Sequence, residues 1–480
     1  MRPCKERKWG EEVKLIVLYS SFFLACTMLA GCGKGNSIPS DGAIQIINAI
    51  DDSPVLSFEL RIGGGDEDTD TQDLGSLDFQ RATAITGLVA DTYELTVRYV
   101  DPDSGTDFNL MSDFIFDVES NTVHSLVLRG PFSNPSITVL DKDLDDIFDN
   151  SDDINEIEVQ VFNLSSDTVD VYLGDPDSTL SSETLIGTFG FDSNSQPTLI
   201  EDGENSLYRL RITKDSTSKV VYDSGDFDIP TSGRRLIIVN DGFGPDPDTK
   251  SAFIVVEGGT STYHNEAANA GIRLFNAIAD VATATIEVIN PSTSDPVANS
   301  VLAFREVTDF VTVDPSFLNV GVNFPGNSGS VTSTTVSLNQ DTFFTIIVGG
   351  SGLDGSVAIQ AAQTAIRPIA TGTSLQFVNS LDTTTIDDFD RVDLYALPIG
   401  DALADTAPTL GQIGFLSSAS SVVPARAVDL VITTAGTQSI LAGPTRVNLQ
   451  GATEVLVVVT EAVGGGGPNQ VVIHTTDLTP

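Results

Sequence analysis

The side chains that could do chemistry in this chain are mostly carboxylates grouped in loops. The segment DPDSGTD holds Asp101, Asp103 and Asp107, and the segment DKDLDD holds Asp141, Asp143 and Asp145. Alternating loop carboxylates are typical ligands of Ca²⁺, which accepts about six to eight oxygens, although the distant bidentate Glu of an EF-hand is missing here. These six residues form a candidate metal site, and solvated surface charge is the alternative interpretation.

Histidines give little support for hydrolysis. His124, His264 and His474 are the only three, and no G-x-S-x-G nucleophile elbow accompanies them. Paired carboxylates for glycoside cleavage stay open, because their separation is a three-dimensional quantity. The single tryptophan, Trp9, lies near the N-terminus, so aromatic platforms for sugars are scarce. We expect no catalytic residues and no enzymatic activity.

One glycine-rich segment matches the sequence pattern of a dinucleotide-binding loop but not its structural context. GSGLDG at 350–355 fits G-x-G-x-x-G and follows the apolar segment FFTIIVG. A dinucleotide site needs that loop to open a helix. The next segment, SVAIQA, has strand character, so we predict a hairpin loop and no bound cofactor other than Ca²⁺ at the acidic loops.

The strands that must position these side chains come after an N-terminal segment that has the features of a signal peptide. The first 32 residues combine a basic start, an apolar run from Val13 to Met28 and the ending LAGC. They resemble a bacterial lipoprotein signal, which implies that residues 1–31 are removed and that Cys32 is lipidated. An ordinary secretory leader or an uncleaved anchor is the alternative. Gly33 follows Cys32 at the position where Asp would be the inner-membrane retention signal. For a Gram-negative source, the resemblance therefore implies the outer membrane, with the protein facing either the periplasm or the outside.

Charge and cysteine content narrow the function further. The chain has 24 basic and 67 acidic residues, a net charge of −43, which opposes nucleic-acid binding because that affinity comes largely from Lys and Arg. The three cysteines all lie within the first 32 residues, so the remainder has no disulfide and no thiolate metal site. Its stability must come from core burial.

The strongest organisational signal is a fourfold internal repeat. Each copy opens with apolar, polar, apolar, apolar, Asn, and the four openings are IQIIN (44–48), VQVFN (159–163), IRLFN (272–276) and LQFVN (375–379). An alternating strand follows, and late in each copy comes a nearly continuous apolar strand, SLVLR, LIIVN, FTIIV or VLVVV. We interpret each terminal Asn as capping the turn that follows it through its side-chain amide.

Short strands with frequent turn signals over about 100–115 residues are typical of a β-sandwich. We therefore predict an all-β chain of four tandem immunoglobulin-like β-sandwich domains, strung out with limited swing because the linkers are short. The predicted bounds are 1–31 for the signal peptide, 32–40 for a flexible tether, and 41–148, 154–258, 268–366 and 372–480 for the four sandwiches.

The opening IQIINAIDDSP, the alternating second strand and the segment ADTYELTV resemble the bacterial domain of unknown function 4397 family. This resemblance implies a secreted β-sandwich module, often found in tandem, without established catalytic residues. We expect a lipid-anchored, non-enzymatic cell-envelope protein that acts as a structural or interaction module, with a protein or glycan partner at the loops of the sandwich ends. A Ca²⁺- or glycan-binding surface adhesin is the alternative, and a hydrolase is a third interpretation.

Overall fold

The computed structural model describes most of the chain after residue 40. The described residues are 41–63, 71–102, 104–143, 156–201, 207–215, 217–228, 234–325, 330–353, 355–381, 391–465 and 467–478. The predicted signal peptide, the tether and Cys32 lie outside them, as do Asp103 and Asp145. Within the described residues, no helix is long and apolar enough to cross a membrane.

The strands fall into four groups that follow the sequence repeats, and we call these groups units 1 to 4. Each unit has a first sheet, which contains its opening strand, and a second sheet. In unit 1 the strands are β1 (Ala43–Asn48), β2 (Leu56–Ile62), β3 (Thr71–Leu77), β4 (Arg81–Ala82), β5 (Thr86–Gly87), β6 (Thr92–Val100), β7 (Asp107–Asp117), β8 (Thr122–Arg129) and β9 (Ser136–Asp143). The first sheet has the order β4-β1-β8-β9, with β5 also on β1, and the second has β3-β2-β6-β7.

Unit 2 has the same plan with one added edge strand. Its strands are β10 (Glu156–Asn163), β11 (Val169–Gly174), β12 (Thr184–Phe189), β13 (Ser193–Asn194), β14 (Thr198–Glu201), β15 (Leu207–Lys214), β16 (Val220–Asp228), β17 (Arg234–Asp241), β18 (Lys250–Val256) and β19 (Gly259–Thr262). The first sheet is β13-β10-β17-β18-β19, with β14 also on β10, and the second is β12-β11-β15-β16. Strand β19 extends beyond the predicted end of this sandwich at residue 258.

In their described residues, units 3 and 4 have eight strands each. Those of unit 3 are β20 (Ala270–Asn276), β21 (Thr283–Ile289), β22 (Pro296–Ala303), β23 (Val311–Val313), β24 (Phe317–Asn323), β25 (Thr332–Ser337), β26 (Phe343–Gly349) and β27 (Ala358–Thr364). Those of unit 4 are β28 (Gly372–Asn379), β29 (Arg391–Pro398), β30 (Leu410–Gly414), β31 (Ser418–Pro424), β32 (Ala427–Thr434), β33 (Ile440–Asn448), β34 (Thr453–Thr460) and β35 (Gln470–Asp477).

The first sheets are β23-β20-β26-β27 in unit 3 and β31-β28-β34-β35 in unit 4, and the second sheets are β22-β21-β24-β25 and β30-β29-β32-β33. The helices of the described residues are two short 3-10 turns, Leu180–Ser182 and Leu403–Asp405. The predicted all-β class with tandem sandwiches is confirmed.

One pairing recurs in every unit and explains the repeat. The opening strand lies parallel to the late apolar strand, as β1 with β8, β10 with β17, β20 with β26, and β28 with β34. The other pairs are antiparallel, for example β2 with β6. The two most apolar segments of each repeat are therefore neighbours at the centre of the first sheet.

Each unit closes a core between its own two sheets. In the second sheets alternate residues face inward, as in β2, where Leu56, Phe58 and Leu60 are buried and their neighbours are partly exposed. This alternation is the period of a sheet with one wet face. The core of unit 1 joins those residues to inward-facing residues of the first sheet such as Ile44 and Ile46.

The first sheets are buried on their other face as well, because they pack against each other in pairs. The contact between units 1 and 2 is formed by apolar side chains of both first sheets, namely Ile47, Ala49, Val127, Leu140, Phe162, Leu236, Ile238, Phe253 and Val255. The contact between units 3 and 4 has an equivalent set, Phe275, Ala277, Ile347, Ala362, Val378, Leu416, Leu456 and Val458. Each pair is thus a stack of four sheets.

This packing corrects the expected string of separate sandwiches. The described residues from 41 to 478 belong to one compact unit, in which whole sheet faces are shared between neighbouring repeats. A sheet that is covered on both faces needs apolar residues at successive positions. That requirement is the physical reason why segments such as VLVVV lack the alternation of the second sheets.

Candidate interaction site

The carboxylates predicted to hold Ca²⁺ lie in two different sheets of unit 1. Asp101 and Asp107 flank the turn between β6 and β7 in the second sheet, where Ser104 Oγ donates a hydrogen bond of 2.7 Å to the Asp101 carboxylate. Asp141 and Asp143 lie on β9 of the first sheet. Among the described residues, no group of three or more His, Cys, Asp or Glu side chains could hold a metal ion. The full six-residue site stays a prediction, because Asp103 and Asp145 lie outside the described residues.

The two carboxylates on β9 have protein partners. His124 Nδ1 lies 2.7 Å from Asp141 Oδ1, and Asn121 Nδ2 donates to Asp143 Oδ1 at 2.7 Å. The other ring nitrogen of His124, Nε2, accepts from the backbone N–H of Glu119 at 3.0 Å. The imidazole is 4% exposed and both of its nitrogens are engaged, so it cannot accept a proton from a nucleophile as a catalytic triad requires.

The remaining histidines lie in other units. His474 is on β35 and half-buried, and burial together with the nearby Arg273 guanidinium lowers the pKa of His474 below its ordinary value. His474 therefore favours its neutral form beside the buried Arg273, and it belongs to the packing between units 3 and 4. His264 follows β19 at the end of unit 2. The three histidines are therefore dispersed over the molecule.

The described residues of the string GSGLDG, 350–353 and Gly355, lie in the loop between the antiparallel strands β26 and β27, as predicted. The carboxylate of Asp280 accepts hydrogen bonds from Ser351 Oγ at 2.7 Å, from Gly352 N–H at 2.8 Å and from Leu353 N–H at 3.0 Å. Burial by itself would raise the pKa of Asp280, but these hydrogen bonds hold it below the ordinary value. The amides that could have cradled a phosphate are occupied by a side chain of the protein.

The four repeated asparagines cap turns, which confirms the sequence interpretation. Asn48, Asn163, Asn276 and Asn379 are all fully buried. In each, Oδ1 accepts from the backbone N–H two residues later, at 3.0–3.1 Å. Each Nδ2 donates to a carbonyl of the chain near the end of the third strand, at 2.9–3.4 Å. All four amides are therefore used by the fold.

Loops from several units meet around a cavity that the sequence did not reveal. This junction cavity, about 370 Å³ in volume, is lined by the turn after β1, the loops after β8 and β17 and the segment joining units 3 and 4. Its polar and aromatic lining includes Asp51, Asp52, Asp241, Arg129, Phe191 and Phe243. Sequence reasoning missed it because its walls are separated by up to several hundred residues.

The junction cavity has an acidic rim. Burial raises the pKa of Asp51, and the neighbouring carboxylates of Asp52 and Asp241 raise it further. Asp241 accepts from Lys250 Nζ at 2.5 Å, and Asp52 accepts from the Phe132 N–H at 2.7 Å. Because the field of such a cleft concentrates ions of opposite sign, this lining favours a cationic or hydrogen-bond-donating ligand.

One arginine fastens the segment between units 3 and 4 to unit 1. Arg367 Nη1 donates to the carbonyls of Asp51 and Ser53, each at 3.0 Å, and its Nη2 donates to Asp78 Oδ1 at 3.0 Å. Its guanidinium also lies 5.5 Å from the ring centroid of Phe79. Burial lowers the pKa of Arg367, while the nearby carboxylates act in the opposite direction. These contacts fix one wall of the junction cavity.

Comparison with known proteins gives only remote likenesses. No family model matches the chain. No curated protein matches it either. Among solved structures, it is similar to the Bacillus anthracis TIE protein, with 7% identity and a TM-score of 0.17, over 83% of this chain and 66% of that one, just under two thirds of its length.

Two further structures cover less of this chain. The fimbrial anchor protein Mfa2 from Porphyromonas gingivalis has 10% identity and a TM-score of 0.21, over 43% of this chain and 97% of that one. A putative cell adhesion protein from Bacteroides uniformis has 10% identity and a TM-score of 0.18, over 44% and 96%. TM-scores this low carry no argument about function.

Proposed function

We propose that this protein is a non-enzymatic, lipid-anchored component of a bacterial cell envelope, acting as a structural or interaction module. The observation that carries this proposal is the back-to-back packing of the first sheets. This packing buries the apolar faces of all four first sheets inside the protein. The loops and the second sheets are therefore the surfaces left for contact with a partner. The occupied nitrogens of His124 also argue against a hydrolase.

We place the partner contact at the loops of the sandwich ends, where a rigid scaffold holds variable segments. The junction cavity is one such place, and its carboxylates suit basic groups of a protein or the hydroxyl groups of a glycan. The outer membrane is the proposed location, through acyl chains on Cys32. We also propose that the four repeats are related to the domain of unknown function 4397 family.

The anchor can be tested with a matched pair of cysteine variants. Cys32→Ser removes the proposed lipidation site, whereas Cys26→Ser removes a thiol from the leader and leaves that site intact. We expect incorporation of labelled palmitate and membrane fractionation to be lost in Cys32→Ser and retained in Cys26→Ser. Equal palmitate labelling of both variants would refute lipidation at Cys32.

The alternative function is a Ca²⁺- or glycan-binding surface adhesin, which is favoured by the acidic loop of Asp101 and Asp107. A ligand that binds only the native state raises the melting temperature. Calorimetry with and without millimolar Ca²⁺ would support the adhesin if the melting temperature rises in the wild type and not in Asp101→Asn. An unchanged melting temperature and no turnover of ester, peptide or glycoside substrates would leave the structural module as the function.

A further inference from the structure

The four second sheets end on strands that are equivalent in topology. These are β7, β16, β25 and β33, each the last strand of its sheet and, among the described residues, each paired on one side only. An edge strand directs unpaired N–H and C=O groups outward and can pair with another chain. Proteins usually protect such edges with charges, prolines or bulges.

Three of the four edges have this protection. Strand β7 contains Asp107, Asp113 and Asp117, and its pairing with β6 shifts register twice. Strand β16 also contains three aspartates and shifts register twice. Strand β33 contains Pro444 and Arg446, and its pairing with β32 is shifted as well. The opposite edges of the four second sheets, β3, β12, β22 and β30, likewise have shifted ladders.

Strand β25 differs from its counterparts. Its sequence TSTTVS has no charge and no proline, and its six residues pair with Phe317–Val322 of β24 in continuous register. Four of the six residues, Ser333, Thr334, Thr335 and Ser337, are exposed. The uncharged first-sheet edge β27 is less accessible, because Ala358 and Ala362 lie in the contact between units 3 and 4.

The register shows which backbone groups of β25 point outward. Leu338 N–H donates to the Ser316 carbonyl at 3.1 Å, so residues of the same parity along β25 bond to β24. The alternate residues, Ser333, Thr335 and Ser337, therefore direct their N–H and C=O groups away from the sheet. This gives three donor and acceptor pairs in a row, centred on Thr335.

We propose that β25 pairs with β25 of a second copy of this chain, antiparallel about a twofold axis at Thr335. Thr335 then faces its own counterpart, and Ser333 faces Ser337 of the partner subunit, so all three outward pairs are used. Small β-branched and hydroxyl side chains suit cross-strand contact. Two four-stranded sheets become one of eight strands, a common size. Such an isologous contact closes on itself as a dimer.

The distribution of charged residues favours a second copy of this chain as the partner at the β25 edge. The chain carries a net charge of −43, so two copies repel each other wherever carboxylates face carboxylates. Self-pairing of β7 or β16 would place aspartates against aspartates, which destabilises a cross-strand pair. Strand β25 and its neighbour β24 contain no charged residue. Residues 268–366 also have only eight acidic and two basic residues, the lowest acidic excess of the four predicted sandwich ranges.

Crosslinking of the full-length protein tests the register directly. The two residues of a hydrogen-bonded antiparallel pair have Cα atoms about 5.5 Å apart, within disulfide range. We expect Thr335→Cys to give a crosslinked dimer on mild oxidation. The matched control Ser333→Cys should not crosslink, because the two copies of residue 333 lie on opposite sides of the axis. The wild-type chain measures the background from its three N-terminal cysteines.

Sedimentation equilibrium tests the interaction without a new thiol. Thr335→Pro removes an outward N–H and is compatible with a strand edge that faces solvent. We expect it to lower the association constant about tenfold or more, with an unchanged far-UV spectrum. Added salt should strengthen the wild-type dimer, because it screens the repulsion between acidic copies.

Four results would overturn the proposal. A strictly monomeric wild type across the accessible concentration range is the first. Equal crosslinking of Ser333→Cys and Thr335→Cys is the second, since it excludes the twofold register. The third is loss of association in Asn299→Asp on β22, which would indicate head-to-tail pairing of β22 with β25 in place of the twofold contact. The fourth is association that weakens with added salt, since a contact between uncharged strands of two acidic chains should strengthen when their repulsion is screened.

Discussion

The buried ion pair between units 3 and 4 allows a quantitative test of how these sandwiches are joined. Arg273 on β20 donates to Glu454 on β34 through Nη1 at 3.0 Å and through Nη2 at 2.6 Å. Their side chains are 1% and 0% exposed. Arg273 also donates to Thr345 and Thr476, and its guanidinium lies 4.6 Å from the ring centroid of Phe310.

Replacing Glu454 by Leu would leave a buried guanidinium without its counter-charge. Removing one partner of a buried pair costs about 3–5 kcal/mol. For a unit of roughly 150–250 residues, 1 kcal/mol corresponds to about 2–4 °C, so the melting transition of units 3 and 4 should fall by roughly 6–20 °C. The double variant Arg273→Met with Glu454→Leu should recover most of this loss, because an apolar replacement of both partners is often neutral.

Thermal unfolding followed by far-UV circular dichroism is the suitable assay, since the only tryptophan is Trp9. The control is Arg446→Met, which breaks a bidentate pair with Asp429 that has the same chemistry but an exposed arginine, at 3.0 and 3.1 Å. We expect the control to leave the transition within error. The reasoning would be refuted by a Glu454→Leu transition that matches the control, or by a double variant no more stable than Glu454→Leu.

Three further results are expected. Burial raises the pKa of Asp341 to about 6 from its unfolded value of 3.8, so the contribution of this residue to stability should fall as the pH rises from about 4 to 6. Asp341→Asn should therefore be about 2–3 kcal/mol more stable than the wild type above pH 6 and equal to it below pH 4. A difference that stays constant across pH would contradict this. Asn276→Ala leaves the buried Leu302 carbonyl and the Ile278 N–H without their side-chain partner. The free energy of unfolding in denaturant titrations should therefore fall by about 1–3 kcal/mol. An unchanged midpoint would show that the turn does not need the side-chain amide. Gly451→Ala would bring a Cβ into overlap with the Ala370 carbonyl oxygen and should cost about 1–3 kcal/mol by the same assay. Gly258→Ala, whose Cβ would have no atom within 4 Å, is the control, and equal effects of the two variants would refute the steric argument.

Much of the fold could be predicted because it depends on local periodicity. Alternating segments such as FELRI form second-sheet strands with one wet face, and the repeated Asn48, Asn163, Asn276 and Asn379 cap turns. Both features involve residues close together in the sequence, or a pattern that is visible within one strand. The loop assignment for GSGLDG was correct for the same reason.

The pairing of units could not be read from the sequence. A continuous apolar strand predicts burial on both faces but does not identify what covers the second face. The same limit applies to Asp141. The sequence indicates that its carboxylate is available to bind Ca²⁺, whereas in the structure it is hydrogen-bonded to His124. The junction cavity combines loops of three units, so no local pattern predicts it.

The sequence by itself therefore determined the strand content, the fourfold repeat and the acidic character, because these follow from composition and from periods of a few residues. Only the tertiary structure decided which sheets share a face and how Arg273 meets Glu454, 181 residues away. The physical reason is that burial is non-directional. An apolar face lowers the free energy against any complementary face, and the choice of partner depends on shape and on the few polar groups that must be satisfied together.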